Sequence, residues 1–241
     1  MSKSNVLCIC PTFGRLSKLS ITIAGFLRQE YKNKQLVIIN DDYNVEIKMD
    51  GTYNNISIIN LARRFNISQK RNIGMGILEG LISIGTIWND DDIYLPNHID
   101  KHVNYHKEHA ADYINTQEYI EYNTEGFKIV DKLHTHSGSY KMKAMSSIGG
   151  YNTTDSDDRD IINRFRSTEI ISDISNITYV RNYIHRYEQS CSTYKQIAEN
   201  AKNERTQLLD ENVSEYIITP DFKSYDSQLI DVMVFLRSKQ L

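Results

Sequence analysis

The sequence GTIWNDDDIYLP occupies residues 85–96 and joins an apolar run to a proline. Three consecutive carboxylates, Asp90 to Asp92, follow Asn89 at the point where the apolar run ends. Like charges at adjacent positions repel one another unless a cation shares them. Carboxylate oxygens are the ligands that Mg²⁺ and Mn²⁺ prefer, and these ions commonly bridge to phosphates. The stretch therefore predicts either a cation site or a solvated acidic turn at the end of a buried strand.

Strand-like and helix-like patterns alternate on both sides of this stretch, over residues 1–110. Strands are predicted at 6–10, 36–39, 56–61 and 86–88, and helices at 16–27, 68–81 and 97–109. Pro11 is expected to end the first strand. The alternation predicts an α/β fold with a mainly parallel sheet flanked by helices. Because ligands bind at the carboxyl ends of such strands, Thr12, the pair Asp41–Asp42 and the acidic turn are expected to meet at one edge.

The pattern changes after residue 110. Strands are predicted at 113–122, 127–130 and 177–180, in an antiparallel or mixed part, with a short helix at 158–165. The segment 193–241 is predicted to form two helices. One apolar face of this tail is expected to pack on the body, with docking to a membrane or a partner as the alternative; its residues are Leu229, Ile230, Met233, Val234 and Leu236. Because no linker or repeat is evident, residues 1–241 are predicted to form a single domain.

The composition is that of a globular protein, with 40% hydrophobic and 24% charged residues. A formal net charge of −3 gives no overall attraction to nucleic acids or anionic membranes. Three cysteines, an odd number with no metal-binding spacing, favour a reducing compartment. The N-terminus does not resemble a signal peptide, and no apolar run reaches the length of a membrane span. We therefore expect a cytoplasmic location, with peripheral attachment to a membrane left open.

Six short motifs follow one another along the chain. They are CPTFGR at 10–15, NDDY at 40–43, QKRNIG at 69–74, NDDDIYLP at 89–96, IGGY at 148–151 with Asp157–Asp158 after it, and HRYEQS at 185–190. In this order they resemble the motifs of a family-2-type glycosyltransferase of the GT-A fold, over about residues 5–192. The resemblance implies a nucleotide-sugar-binding half at 1–110, an acceptor-binding half at 111–192 and a C-terminal helical tail at 193–241.

The resemblance also implies a role for the acidic turn. Aligned on Pro96, Asp91 takes the position of the metal ligand, with Asp90 or Asp92 in support, and the ion would be Mn²⁺ or Mg²⁺. Asn89 stands where the family usually has its first carboxylate, which leaves the metal register open by one residue. Further departures are Gly14 for Asn, Asp42–Tyr43 for Gly-Ser and Asp157 for Glu.

A nucleotide-sugar site is implied by residues of several motifs. They are Pro11, Thr12, Phe13, Arg15, Asp41, Asp42, Arg71, Asn89, Asp90 and His185. A carboxylate such as Asp41 facing a base N–H, beside Thr12, suits uracil, so a UDP-linked sugar is the expected donor. Asp158, with Asp157 beside it, is the candidate general base that takes the proton of an acceptor hydroxyl. Direct displacement with one base would invert the anomeric configuration.

Other interpretations stay open for several of these residues. Asp41 is also explained as a turn residue, and Asp157–Asp158 as a helix cap. The histidine row on the helix at 97–109 is interpreted as a packing or solvated face rather than a zinc site; its members are His98, His102, His106 and His109.

The class of protein also has alternatives. A sugar nucleotidyltransferase or a dinucleotide oxidoreductase is disfavoured because the first strand lacks a Gly-rich loop. A non-catalytic nucleotide-sugar-binding module on the same fold is kept open by Asn89. The acceptor could be a glycan, a lipid carrier, a protein or a modified nucleic-acid base; the acidic balance disfavours nucleic acid, although lysines flank the proposed acceptor side. Homo-oligomer formation is a further open expectation.

Overall fold

The structure is a computed structural model that describes residues 5–77, 80–131, 138–154, 158–171, 177, 179–182 and 213–240. The helices are α1 (Leu16–Leu27), α2 (Ile67–Gly76), α3 (His98–Glu108), α4 (Met142–Ser147), α5 (Asp158–Arg164) and α6 (Phe222–Ser238). The strands up to the acidic turn are β1 (Val6–Thr12), β2 (Lys34–Asn40), β3 (Val45–Met49), β4 (Ile56–Asn60) and β5 (Ile84–Ile87). The later strands are β6 (Ile93–Tyr94), β7 (Tyr113–Thr116), β8 (Glu118–Asn123), β9 (Gly126–Asp131), β10 (Ser139–Lys141), β11 (Thr168–Ile171), β12 (Tyr179–Asn182) and β13 (Ser214–Ile218).

The predicted α/β fold with a mainly parallel sheet is confirmed. Seven strands form the central sheet in the order β11-β7-β10-β5-β1-β2-β4. Strands β4, β2, β1 and β5 run parallel, whereas β10 is antiparallel to both of its neighbours. All seven residues of β1 are buried because this continuous apolar strand has a strand on each side and helices on both faces.

Strand β1 runs through Pro11 to Thr12, so the prediction that Pro11 ends it was wrong. Pro11 pairs in register with Ile39 of β2. The pairing of β1 with β5 stops at Ile9, before the proline is reached. The missing proline N–H is tolerated because β1 no longer has a neighbour on both sides at this position.

Helix α2 ends at Gly76, earlier than the predicted Leu81. Ile77 and Leu81, which lie in the predicted helix at 68–81, are 45% and 68% exposed. Gly74 and Gly76 weaken the last turn because glycine is a poor helix former. Gly74 is nevertheless required, since a Cβ at this position would lie 2.7 Å from Cγ2 of Ile9. The absence of a side chain at Gly74 thus lets α2 approach β1 closely.

The mixed character predicted for the second half is confirmed, but the single strand predicted at 113–122 is two strands. Strand β7 belongs to the central sheet, whereas β8 lies in a separate four-stranded sheet of order β6-β12-β8-β9. The chain therefore changes sheets at Gln117, which no periodicity reveals. Helix α5 matches the predicted helix closely, and β12 overlaps the last predicted strand.

The C-terminal tail differs from the two predicted helices. Strand β13 pairs in parallel with β3, and a single helix, α6, follows; residues 193–212 lie outside the described residues. Within the described part of the chain, no helix combines the length and the apolar character needed to cross a bilayer.

The apolar face assigned to this tail was wrong in its register. Ile230, Met233 and Val234 are exposed, and Leu236 is buried as expected. The face that packs keeps Leu229 and Leu236 of the prediction and is completed by Tyr225 and Val232. Their spacing of four, three and four residues follows one side of a helix.

Tyr225 anchors α6 to the rest of the molecule. Its hydroxyl donates to the carbonyl of Tyr94 at 2.7 Å. Its ring fills the space beside Gly25 of α1, where a Cβ would lie 2.7 Å from the ring. A pattern of apolar residues alone cannot show which side of the helix meets this contact.

A matched pair of substitutions tests the register of α6. Val232→Ala should lower the free energy of unfolding by about 1–3 kcal/mol, because Val232 is fully buried and truncation leaves a cavity. Val234→Ala removes the same atoms from a side chain that is 61% exposed and should change it by less than about 0.5 kcal/mol. Urea denaturation measures both. Equal losses, or the reverse order, would show that α6 packs through another face.

Candidate functional site

The carboxyl ends of β1, β2 and β5 meet at one edge of the central sheet, as the sequence predicts. Thr12 ends β1, Asp41 follows β2, and Asp90 follows β5. The hydroxyl of Thr12 donates to Oδ2 of Asp90 at 2.7 Å, although the two residues are far apart in the sequence. The parallel register of β1 with β5 is what brings them together.

Arg15, in the loop between β1 and α1, faces the acidic turn. Its Nη1 lies 3.0 Å from Oδ1 of Asp90 and also forms an ion pair with Oδ2 of Asp91. Burial raises the pKa of Asp90, and the Arg15 guanidinium and the Thr12 hydroxyl oppose that rise. The side chain of Asp90 is nearly inaccessible, that of Asp91 is 14% exposed and that of Arg15 is 40% exposed. A protein cation therefore shares the charge of these two carboxylates.

Asp92 points into the protein rather than toward Arg15. Its Oδ2 accepts from Nδ2 of Asn89 at 2.7 Å and from the hydroxyl of Tyr179. The hydroxyl of Tyr94 accepts from the backbone N–H of Asn89 at 2.8 Å. Burial, and then the charge of Asp92, raises the pKa of both tyrosines. Asp92, predicted to support a metal, is here placed as a buried acceptor that shapes the turn, with Asn89 as its donor.

Asp41 is completely buried and is surrounded by donors. Its Oδ1 lies 2.7 Å from Nζ of Lys70 and 3.4 Å from Nη1 of Arg64, and its Oδ2 accepts from the N–H of Phe65 at 2.9 Å. Lys70 also donates to the carbonyl of Thr12 at 3.2 Å. Burial lowers the pKa of Lys70, and Asp41 counteracts this. This ion pair connects the ends of β1 and β2 to α2.

A stacked pair of side chains borders Asp41. The guanidinium of Arg64 lies 3.3 Å from the ring centre of Phe13, which is only partly buried. Asp42 is partly buried as well, and its Oδ1 accepts from the N–H of Asn44 at 3.2 Å. Gly14, between Phe13 and Arg15, has a φ of 65°, a conformation that glycine adopts without strain.

Two motifs that are distant in the sequence are joined by Asn72 of α2. Its Nδ2 donates to the carbonyl of Tyr151 at 2.8 Å, and its Oδ1 accepts from the N–H of Tyr151 at 2.8 Å. A Cβ on Gly150 would lie 2.7 Å from that Oδ1, and its φ is 76°. Arg71, also buried, has its guanidinium 5.1 Å from the Tyr151 ring centre. These contacts fix the Gly-Gly-Tyr turn against α2.

The predicted general base lies just beyond this turn. Helix α5 begins at Asp158, whose side chain is not among those described. Ile161 and Phe165 pack in a core cluster with Tyr151, so this segment is anchored to the same turn. Asp157 and His185, the other predicted site residues of this half, lie outside the described residues.

The histidine row of α3 is a packing element, as interpreted from the sequence. His98 and His102 are buried, and their ring centres are 4.6 Å apart. The hydroxyl of Ser139 lies 2.8 Å from Nδ1 of His102 and 3.0 Å from Nε2 of His106. Burial is the main cause that lowers the pKa of His102, and it lowers the pKa of His106 to about 4 with help from Lys141.

The acidic turn offers a divalent ion one accessible carboxylate, that of Asp91. Among the residues that the structure describes, no three His, Cys, Asp or Glu side chains are grouped so that they could hold a metal ion together. Asp90 and Asp92 are engaged by the donors described above, whereas Asp91 is the most accessible of the three and meets a half-exposed arginine. One carboxylate with its remaining ligands from phosphate and water is a usual arrangement for Mg²⁺.

Three contributors to this site were missed at the level of sequence. Arg64 follows β4 as part of a basic pair, and this charge next to a strand end was the available signal. Tyr94 and Tyr179 reach the turn from β6 and β12, and nothing in their local sequence indicates that role. Their positions follow from the pairing of those two strands.

The fold and its edge of acidic and basic side chains define the class of protein, a glycosyltransferase of GT-A architecture. The chain belongs to glycosyl transferase family 2, whose family model matches residues 8–182. No curated protein sequence matches it significantly.

Solved structures resemble this one at low sequence identity. S. aureus TarS 1–349 in complex with UDP is 13% identical with a TM-score of 0.57, over 74% of this chain and 60% of that one. The complex of S. aureus TarS 1–349 with UDP-GlcNAc is 14% identical with a TM-score of 0.55, over 74% of this chain and 58% of that one. Mannosyltransferase PcManGT from Pyrobaculum calidifontis, in complex with GDP-Man and Mn²⁺, is 9% identical with a TM-score of 0.57, over 95% of this chain and 70% of that one. At these identities the likeness establishes the fold alone.

Removal of Lys70 tests the buried ion pair. Lys70→Met should lower the free energy of unfolding by about 3 kcal/mol or more, because it leaves the Asp41 charge buried beside fewer donors. The double variant Lys70→Met/Asp41→Asn should lose less, since the amide carries no charge. Lys48→Met, which breaks the exposed pair with Glu215, is the control and should have little effect. Chemical denaturation of wild type, these variants and the single variant Asp41→Asn decides; a loss in the double variant equal to the sum of the two single losses would show that Lys70 and Asp41 do not interact.

The buried histidines predict a loss of stability in acid. Because the pKa of His106 is below its unfolded value of about 6.5, the unfolded chain takes up the proton first as the pH falls. Stability should therefore decline from about pH 6.5 to pH 4. His106→Gln should flatten this decline by up to about 1.4 kcal/mol per pH unit, whereas His109→Gln, at a more exposed position directly after the same helix, should retain it. Identical pH profiles for the two variants would contradict this.

Proposed function

We propose that this protein transfers a sugar from a nucleotide sugar, with UDP as the nucleotide, to an acceptor hydroxyl with inversion at the anomeric carbon. The observation that carries the proposal is the convergence of Thr12, Asp41 and the acidic turn, with Arg15 and Lys70, at the carboxyl ends of three parallel strands. This is the edge at which α/β sheets bind nucleotides. The complexes of TarS with UDP and UDP-GlcNAc and of PcManGT with GDP-Man support a nucleotide-sugar donor.

The nucleoside end of the donor would lie near Phe13 and Arg64. The exposed part of the Phe13 ring offers an apolar surface to a base, and Arg64 on the ring carries N–H donors for base carbonyls. Asp41 is completely buried, so it would act on the base through Arg64, which it positions. Thr12, between Asp41 and Asp90, defines the boundary between the base and diphosphate regions.

The diphosphate end would lie against the acidic turn. Mn²⁺ or Mg²⁺, when bound, would be held by Asp91 and would neutralise charge on the leaving diphosphate. Mn²⁺ in the complex of PcManGT supports this cofactor assignment. Arg15, which is partly exposed, would add positive charge near the phosphates. Arg71 is buried against Tyr151 and would act from behind the Gly-Gly-Tyr turn, without touching the diphosphate. Asn89 keeps Asp92 turned inward, which leaves Asp91 as the carboxylate that faces the donor.

Asp158 is proposed as the general base. Its carboxylate would accept the proton of the acceptor hydroxyl while that oxygen bonds to the anomeric carbon and the bond to the diphosphate oxygen breaks. The products are the glycosylated acceptor and the nucleoside diphosphate. The anchoring of the Gly-Gly-Tyr turn by Asn72 supports this role, because it ties the segment before α5 to the helix that carries Lys70 and Arg71.

The proposal extends to the cellular location, the oligomeric state and the class of acceptor. The thiols of Cys8 and Cys10 are free and buried in β1, which supports a reducing, cytoplasmic location. Homo-oligomerisation remains a prediction. A glycan is the preferred acceptor over nucleic acid because the chain has a net charge of −3. A non-catalytic nucleotide-sugar-binding module is the second candidate, and Asn89 in place of a carboxylate is the observation that favours it.

Release of UDP from a panel of UDP-sugars in the presence of Mn²⁺ tests the proposal and its alternative. Steady release above the rate without protein supports a transferase, since many transferases use water as a slow acceptor in the absence of the true one. Binding of the nucleotide sugar without any release, even with a mixture of glycan acceptors, would support the binding module instead.

Substitution of Asp158 tests the base. Asp158→Asn should retain donor binding but lower the rate of transfer by about 10²-fold or more, because the amide cannot accept the proton. Asp226→Asn, in a half-exposed ion pair with Arg28, is the matched control and should keep wild-type rates. Donor affinity by calorimetry and rates by UDP release separate the outcomes. Loss of donor binding would assign Asp158 a structural role, and an unchanged rate would assign the base elsewhere.

A further inference from the structure

Arg15 lies beside the carboxylates of Asp90 and Asp91, whose negative charges require a nearby cation. Its guanidinium bridges Asp90 and Asp91, so both carboxylates are partly neutralised by the protein itself. Asp91 is the carboxylate proposed above to hold the divalent ion. A metal ion and the guanidinium would therefore compete for the same carboxylate.

The two partners of Arg15 differ in how firmly they are held. Asp90 is buried and keeps the hydroxyl of Thr12 as a donor at 2.7 Å if Arg15 leaves. Asp91 is partly exposed and meets Arg15 at the surface of the turn. Because Asp90 keeps the Thr12 donor, removing the guanidinium raises the free energy less than it would for a buried carboxylate with no other donor. The same movement makes Asp91 accessible to another cation.

Arg15 itself can move without disturbing a helix or a strand. It lies in the N-cap position of α1, where its side chain makes no capping hydrogen bond, and its side chain is 40% exposed. Gly14, directly before it, has a φ of 65°, and Thr12 has already ended β1. The long side chain can therefore change direction while the backbone on both sides stays fixed by the sheet and by α1.

We propose that Arg15 is a displaceable counterion, which holds Asp91 while the donor is absent and is exchanged for a divalent ion when the metal and the diphosphate bind together. The proposal rests on the metal site assigned under the proposed function. Once displaced, the guanidinium is within reach of the diphosphate, where it forms charge-assisted hydrogen bonds. Arg15 is thus a positioning residue that links metal binding to donor binding.

This exchange has two consequences of opposite sign. Removal of the Arg15 guanidinium takes a competing cation away from Asp91, so the protein without nucleotide should bind Mn²⁺ more tightly. The same removal takes a positive charge away from two carboxylates, so a diphosphate should bind more weakly when no metal is present. A general loss of structure would weaken both ligands, and only the exchange predicts that one improves while the other declines.

The test is calorimetric titration of Mn²⁺ without nucleotide, and of UDP in a chelating buffer without metal, on the 241-residue chain. Arg15→Gln should raise the Mn²⁺ affinity about tenfold, which is the expected effect of removing one charge-assisted competitor. It should lower the metal-free UDP affinity about threefold or more. Arg15→Lys, which keeps the charge without the bridging geometry, should fall between the two. Arg28→Gln, which breaks the half-exposed pair with Asp226, is the control and should match wild type in both titrations.

Each result decides between the exchange and the metal assignment. Tighter Mn²⁺ and weaker UDP in Arg15→Gln, with Arg28→Gln unchanged, support the exchange. Unchanged or weaker Mn²⁺ binding in Arg15→Gln, while wild type binds Mn²⁺, overturns the exchange and leaves the proposed function standing. Absence of Mn²⁺ binding in every protein, with or without UDP, overturns the metal site and the exchange together. Circular dichroism verifies the fold, and if Arg15→Gln fails to fold then Arg15→Lys is used with the same criteria.

Discussion

The concentration of negative charge at the end of β5 is the constraint on which the rest of this structure depends. Asp90 is buried, and a buried carboxylate must be given donors or it becomes protonated. Its donors, Thr12 and Arg15, come from the end of β1 because the two strands are neighbours and run in parallel. The buried carboxylate of Asp90 therefore requires a hydroxyl donor and a cation at the end of β1, and this requirement holds even without a bound ligand.

Two further sets of contacts hold the same edge of the sheet: the buried Asp41–Lys70 ion pair and the hydrogen bonds of Asn72 to the Tyr151 backbone. Asp41 and Lys70 join the end of β2 to α2, and Asn72 on that helix holds both polar groups of the Tyr151 peptide backbone. Each link uses donors and acceptors that are satisfied within the protein, which makes the edge rigid. Two sets of hydrogen bonds, connected through α2, thus extend from the acidic turn to the Gly-Gly-Tyr turn before α5. Rigid placement of this kind lowers the reorganisation needed during a reaction.

Much of the fold was predictable from sequence, because the first half has strong periodicity and its strands are continuous apolar runs. The convergence of Thr12, Asp41 and Asp90 was predictable for the same reason, since parallel strands place their carboxyl ends together. Partners of the side chains were not predictable. Asp92 turns inward because Tyr179 reaches it from a strand far along the chain, and no local pattern encodes that contact.

The tail shows the limit most clearly. Ile230 and Val234 fit an apolar helical stripe as well as Val232 does, and packing of Tyr225 beside Gly25 decides which stripe is buried. Strand β13 is short, and it exists because β3 offers it an edge, so tertiary pairing overrode the local helical signal. Asp157 and His185 lie outside the described residues, and their predicted roles remain predictions.

The central claim is that the sheet edge binds a nucleoside diphosphate. The most direct measurement is the shift in thermal unfolding temperature caused by UDP, GDP, dTDP and ADP, each with and without Mn²⁺, because a ligand that binds only the folded state raises its stability. The account predicts a shift with UDP that exceeds those of the other three and increases when Mn²⁺ is present. No shift with any of the four nucleotides, in either buffer, would contradict it.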